Sequence, residues 1–361
     1  MKRVLSALTH QRPSLLLAIL LISTAATATP VQIYGAWHCG NDACTWGTVR
    51  TLTDFDAKNH WIIDRGDGVP SVNLVILSFV DPLKLLNQTN DAQTVNGVPI
   101  GMTSQIVSYF TSHNIRVMLS IGGITFVTNW NNALSTNPMQ LGLNAAAVAK
   151  SLGVGIEIDY EESTTPNLTG LQSFINAYRS QLPYDATGAN AAARLTIDVA
   201  AGDRFLIDLD RKATNDWLTT ANPVLDYANA LVPSKQPTNA ASAEGNWQEH
   251  VDGKSNFAPP ILPLAPAKFT GSLFITSGHN PLPECTTFSS SLEDSTGSYV
   301  QTVAPNGAGA TAGMLGYMFW AAECPSTRNL CTTPPNSCQG GVGVGARTYS
   351  IPFPMPALRQ Q

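Results

Sequence analysis

The chain has 361 residues, 43% of them hydrophobic and only 12% charged, so it can build a sizeable core and is not a disordered polymer. Its net charge of -5 offers no basic face for a phosphate backbone, which argues against nucleic acid as a partner. Sparse charge combined with abundant Asn, Thr, Ser and Gly suits a protein outside the cytosol.

At the N-terminus, Lys2, Arg3 and Arg12 precede an apolar run from Leu15 to Ile22, and small residues follow as far as Ala26-Thr27-Ala28. A basic start, an apolar middle and an A-x-A end predict an export signal over residues 1–28, cut after Ala28, and hence a secreted protein. A membrane anchor is the alternative, but the run falls short of the roughly 20 apolar residues that a spanning helix needs. Six cysteines follow (Cys39, Cys44, Cys285, Cys324, Cys331 and Cys338) and are expected to form disulfides, for which fifteen pairings are open. Asn87-Gln88-Thr89 and Asn167-Leu168-Thr169 are glycosylation sequons.

Eight short β-rich runs come next in order: Gln32–Ala36, Val72–Phe79, Arg116–Ile121, Val154–Tyr160, Arg194–Ala200, Val224–Val232, Phe269–Thr276 and Met314–Trp320. Helical patterns fall between several of them, at Ser104–His113, Met139–Ser151 and Leu168–Gln181. Strands alternating with helices predict parallel βαβ units, and eight of them predict an α/β protein with a closed (β/α)8 TIM barrel over residues 29–323. A doubly wound open sheet competes, but Gly35-Ala36-Trp37-His38-Cys39-Gly40 after the first run carries no GxGxxG phosphate loop. Residues 324–361, rich in Cys, Pro and Gly, read as a tail tied to the barrel rather than a second domain.

The chemistry concentrates in Gly153-Val154-Gly155-Ile156-Glu157-Ile158-Asp159-Tyr160-Glu161-Glu162. Strand side chains alternate, so Ile156, Ile158 and Tyr160 share one face while Glu157, Asp159 and Glu161 share the other, about 7 Å apart. Facing a barrel axis, such acids repel one another, and at least one stays protonated as a general acid requires. The plain alternative is an edge strand with a solvated acidic face. His38, His60, His113, His250 and His279 are scattered, with no HxH or HExxH spacing, so neither a metal nor a cofactor is expected.

This acidic strand resembles the D-G-x-D-x-D-x-E signature of glycoside hydrolase family 18, the chitinase and endo-β-N-acetylglucosaminidase family. Leu119-Ser120-Ile121-Gly122-Gly123 resembles its S-x-G-G motif, Gly316-Tyr317-Met318-Phe319-Trp320 its eighth strand, and Leu225-Asp226-Tyr227-Ala228-Asn229 the start of its sixth. The similarity runs from about Val31 to Glu323. It implies that Glu161 protonates the leaving oxygen and later activates water. Asp159 would steady the substrate's 2-acetamido group, which attacks the anomeric carbon to give an oxazolinium, with Glu157 as its proton partner. Trp320 would be the floor beneath the sugar, Ser120 and Gly122 would support the site, and Trp37 and Tyr227 complete the candidate substrate-binding set.

There are departures from the pattern. Val154 stands at the signature's first Asp and Glu157 at its middle Asp. In the sixth-strand M-x-Y-D, Leu231, Pro233 and Ser234 stand at Met, Tyr and Asp, so the tyrosine that holds the acetamide is missing unless Tyr227 or another aromatic replaces it. The connection from Thr276 to Met314 is too short for the family's large α+β insertion between strands seven and eight, which predicts an open groove. The resemblance therefore implies a monomeric, secreted hydrolase of β-1,4-linked N-acetylglucosamine in chitin or chitooligosaccharides. An enzyme acting on N-glycan cores, a glycan-binding lectin without turnover and a barrel of unrelated chemistry stay open.

Overall fold

The computed structural model describes residues 33–39, 46–47, 51–64, 70, 72–202, 205–231, 240–274 and 314–320. The expected signal segment, the tail and all the cysteines but Cys39 lie outside these residues, as does the side chain of Cys39. Eight parallel strands close into a barrel: β1 (Ile33–Cys39), β2 (Leu74–Val80), β3 (Arg116–Gly122), β4 (Gly155–Asp159), β5 (Leu195–Val199), β6 (Ala228–Ala230), β7 (Phe269–Phe274) and β8 (Gly316–Trp320). Each pairs with its sequence neighbour, and β8 returns to β1 with Ile33 opposite Gly316. The sixth run is the one most shortened, from the expected nine residues to the three of β6.

Three of the helices, those at Ser104–Thr111, Pro138–Leu152 and Leu168–Gln181, fall on the expected helical patterns. In chain order the helices are α1 (Leu52–Ile63), α2 (Pro82–Leu86), α3 (Ser104–Thr111), α4 (Val127–Thr136), α5 (Pro138–Leu152), α6 (Leu168–Gln181), α7 (Ile207–Lys212) and α8 (Ala240–Asp252). None among the described residues is long and apolar enough to cross a membrane. The helix before the acidic strand is fixed at both ends. Asn137 caps α5 by accepting from the Gln140 N–H, Pro138 supplies a pre-set φ at its first turn, and Gly153, at φ 69°, turns the chain out of it. Only two residues then separate α5 from β4, so the rigid helix sets where the acids stand.

The strand alternation divides the molecule into two cores. Outward side chains such as Val117, Leu119, Ile156, Ile158, Ile197 and Val199 pack beneath the helices. Inward ones at the bottom of the barrel form a smaller apolar layer of Ile33, Trp37, Leu74, Ile76, Met118, Tyr227 and Met318. The β5 and β6 strands are tied to α6 by Arg179. Its guanidinium donates to the Val224 carbonyl at 2.6 Å and to Asp226 at 3.1 Å, and Asp226 in turn accepts from the Leu195 N–H at 2.5 Å. Both side chains are nearly buried.

Removing one member of a buried pair strands the other in low dielectric. Asp226→Ala is therefore expected to lower the unfolding free energy by about 3 kcal/mol, read as a fall in the urea midpoint at unchanged slope. A midpoint equal to that of the wild type would show that Arg179 does not depend on this partner.

Candidate active site

Residues opposite each other in a parallel barrel point to the same side, so the register maps the interior. Ser120 pairs with Glu157 and Glu157 with Thr196; Gly122 pairs with Asp159, Asp198 with Asn229, and Asn229 with Thr270. These residues share the inner face, while Ile156, Ile158 and Tyr160 belong to the outer core. The acid row therefore faces the axis and is not a solvated edge. Glu157 is 0% exposed and Asp159 3%, while Glu161 beyond the strand end is partly exposed at the mouth.

Glu157 is the best-supported of the acids. Trp37 Nε1 donates to its Oε1 at 2.8 Å, and Asn229 Nδ2 donates to its Oε2 at 2.6 Å. Thr270 Oγ1 donates to Asn229 Oδ1 at 2.6 Å and so fixes which end of the amide meets the carboxylate. Burial still pushes the Glu157 carboxyl above its ordinary range, against the pull of these hydrogen bonds. Asp159 has no comparable help. Burial and the flanking charges of Glu161 and Glu157 hold it well above the usual carboxylate range, and its Oδ1 is buried without a partner. Glu161 is pushed up to about 7 by burial, with the backbone N–H of Ile124 pulling the other way.

The glycines of the S-x-G-G motif set the position of the upper acids. Gly122, at φ 123°, lies so close to β4 that a Cβ there would be 1.8 Å from the Asp159 carbonyl oxygen and 2.3 Å from Trp130 Nε1. That carbonyl accepts from the Gly123 N–H and from Trp130 Nε1, each at 3.0 Å. A Cβ on Gly123 would meet the ring of Phe79 at 2.9 Å. Phe79 in turn stacks on Trp320, centroids 5.7 Å apart and planes at 22°, and Trp320 lies 6.3 Å from Trp37. An aromatic wall thus runs from the motif to the tryptophan that holds Glu157, with partly exposed Trp320 at its open end.

On the outer side, Tyr160 Oη donates to Asn131 and accepts from the Asn167 N–H. Glu162 accepts from Asn131 and from the N–H groups of Thr164 and Thr165. Adjacent Glu161 and Glu162 therefore divide: one faces the mouth, the other pins the loop after β4.

Of the candidate residues, Glu157, Asp159, Glu161, Ser120, Gly122, Trp37 and Trp320 come together. Tyr227 lies apart from them. It is 2% exposed, and its hydroxyl points at the Met118 sulfur, 3.7 Å away in the floor layer, because an inward residue at the start of β6 lies low in the barrel. Pro233 and Ser234, the positions that would extend the sixth-strand motif, lie outside the described residues. Trp37, at 3% exposure, contributes its N–H to Glu157 rather than an open face.

Asp198, Asn229, Phe79 and Trp130 were not anticipated. Asp198 carried the same signal as the acidic strand: in Leu195-Thr196-Ile197-Asp198-Val199 polar and apolar residues alternate, which puts Asp198 inside. It is 1% exposed, and the charges of Glu157, Asp159 and Glu161 add to burial in holding it well above the usual carboxylate range. Among the described residues no group of three or more His, Cys, Asp or Glu side chains is arranged to hold a metal ion.

No family model and no curated protein matches the chain. Solved structures do match. A GH18 chitinase from Pseudoalteromonas aurantia superposes with a TM-score of 0.51 at 15% identity, covering 73% of this chain and 90% of that one. A chitinase from Aspergillus fumigatus gives 0.49 at 12% identity over 80% and 91% of the two chains. A GH18 chitinase from Cycas revoluta, solved in complex with (GlcNAc)3, gives 0.46 at 12% identity over 80% and 94%. By the first of these likenesses the chain has the (β/α)8 barrel fold of a GH18 chitinase, the fold expected from its alternating strands and helices.

Proposed function

We propose that this chain is a secreted glycoside hydrolase that cleaves β-1,4-linked N-acetylglucosamine, in chitin or chitooligosaccharides, with Glu161 as general acid and base. The observation that carries the proposal is the state of Glu161. It stands partly exposed at the barrel mouth, two residues beyond Asp159, and burial pushes its carboxyl up to about 7, the range a general acid needs. The fold shared with a GH18 chitinase supports the same reading, and the basic, apolar and small-residue order of residues 1–28 supports export.

The steps follow from the order of the acids along the strand. Glu161 gives its proton to the glycosidic oxygen as the bond to the anomeric carbon breaks. The carbonyl oxygen of the sugar's own acetamido group bonds to that carbon, forming an oxazolinium, so no enzyme carboxylate needs to attack. Positive charge grows on the acetamido group. Asp159 meets it by passing its proton down to Glu157, whose Oε atoms already sit in a cradle of donors. Glu161, now ionised, takes a proton from water as the water attacks the anomeric carbon and opens the ring, with net retention. Trp320 offers the apolar face on which a pyranose can lie.

One observation favours a second reading, a glycan-binding protein without turnover: the Tyr227 hydroxyl is directed at the floor, away from the acetamido position. Incubation with chitooligosaccharides and with N-glycan cores separates the possibilities, since hydrolysis products support the enzyme and tight binding without product supports the lectin.

Glu161→Gln is expected to lower kcat/KM by about 100- to 10,000-fold with the melting temperature held or raised, because the change removes a partly buried carboxyl. Equal rates for variant and wild type would end the proposal. The acid must be protonated to act, so wild-type kcat/KM should fall as pH rises through about 7, losing about tenfold per pH unit. A rate that climbs through that range would assign Glu161 to another task.

A further inference from the structure

Glu157 and Asp198 are both essentially excluded from solvent, and they stand on adjacent strands. Asn229 links them: it is the register partner of Asp198 and a hydrogen-bond donor to Glu157. Both oxygens of Asp198 are buried without a hydrogen-bond partner among protein donors. Burial and the charges of Glu157 and Asp159 in β4, with Glu161 just beyond it, all push its carboxyl up. Asn229 of β6 and Thr270 of β7 are neutral, and their hydrogen bonds run to Glu157 and to each other. Ser120 of β3 and Thr196 of β5 carry neutral hydroxyls. Among the described residues no cation is seen to offset Asp198. Two carboxyls facing each other in low dielectric attract only when one proton lies between them.

We propose that Asp198 is a positioning residue: it stays protonated in the folded protein and shares its proton with the Glu157 carboxylate, so the two carry one negative charge between them. Glu157 then has a third donor besides Trp37 and Asn229, which makes it a weaker base. In the free protein it leaves Asp159 its proton, and it takes that proton only when a cation forms on the bound sugar. The catalytic part of this statement rests on the hydrolase reading above; the protonation of Asp198 does not.

The experiment separates the two. The unfolded chain ionises Asp198 above about pH 4 whereas the folded chain keeps the proton, so wild-type stability is drained as pH rises, and Asp198→Asn removes that drain. The ratio of wild-type to variant unfolding constants should therefore grow by up to about tenfold per pH unit between pH 5 and pH 7. A ratio independent of pH overturns the proposal. Asp159→Asn provides a check that needs no variant at Asp198: its infrared spectrum at pH 7, with labelled aspartate, should retain a protonated-carboxyl band, and its loss overturns the proposal equally. If chitooligosaccharides are hydrolysed, Asp198→Asn, which still donates to Glu157, should keep kcat within roughly threefold of wild type, while Asp198→Ala should lose roughly tenfold or more. Equal losses in both overturn the positioning role. No hydrolysis by the wild type overturns the hydrolase reading and leaves the stability and infrared outcomes to decide the proton on Asp198.

Discussion

Crowded carboxyls govern the upper interior of this barrel. Glu157, Asp159 and Asp198 lie on two neighbouring strands at 3% exposure or less, with Glu161 just above them. Ionising all of them in low dielectric is prohibitive, since each buried carboxylate needs a counter-charge or a set of donors. Among the described residues the best-supplied group is Glu157, on which the Trp37 indole and the Asn229 amide converge. These donors favour charge on Glu157, while burial pushes up the carboxyls of Asp159, Asp198 and Glu161. The chemistry proposed for the site is a consequence of that distribution, because a stock of neutral carboxylic acids at pH 7 is what general-acid catalysis requires.

Holding like groups together needs a frame that cannot relax, and much of the surrounding sequence supplies one. Gly122 and Gly123 bring β3 against β4 closely enough that the Asp159 carbonyl is held by two N–H groups. A side chain at Gly122 would occupy the space of that carbonyl, so the glycine is required by approach as well as by its φ of 123°. Phe79 and Trp320 stack against the outer flank of the same turn. Behind the strand, Tyr160 and Glu162 tie down the loop through Asn131, so the step from β4 to α6 cannot swing Glu161 out of line.

Much of this was legible in the sequence because strand alternation is a two-residue code. Ile156, Ile158 and Tyr160 against Glu157, Asp159 and Glu161 sorted themselves into outer and inner faces, and the α6 boundaries followed from helical periodicity. The same code applied to Leu195–Val199 puts Asp198 inside, but one acid in a short apolar run does not announce itself; it gains meaning only when β5 lies beside β4. What periodicity does not carry is height. It gives Tyr227 an inward direction without saying how far down the barrel its hydroxyl ends, and that is fixed by the stagger of strands around the closed sheet. The sixth-strand motif positions Pro233 and Ser234 lie outside the described residues.

The floor of the barrel completes the electrostatic argument. Arg116 and Arg194 lie low in the interior, where burial and mutual repulsion pull the Arg116 guanidinium down to about 9. Between them and the acids lies the apolar layer that contains Met118, Tyr227 and Met318. Tyr227 responds to both sides, for the two arginines favour its ionised form and Glu157 opposes it. Without that apolar layer, the cations would meet the acids and draw them into ion pairs, lowering their proton affinities and leaving no protonated carboxyl at the mouth. Tyr227 thus stands between the acids above and the arginines below.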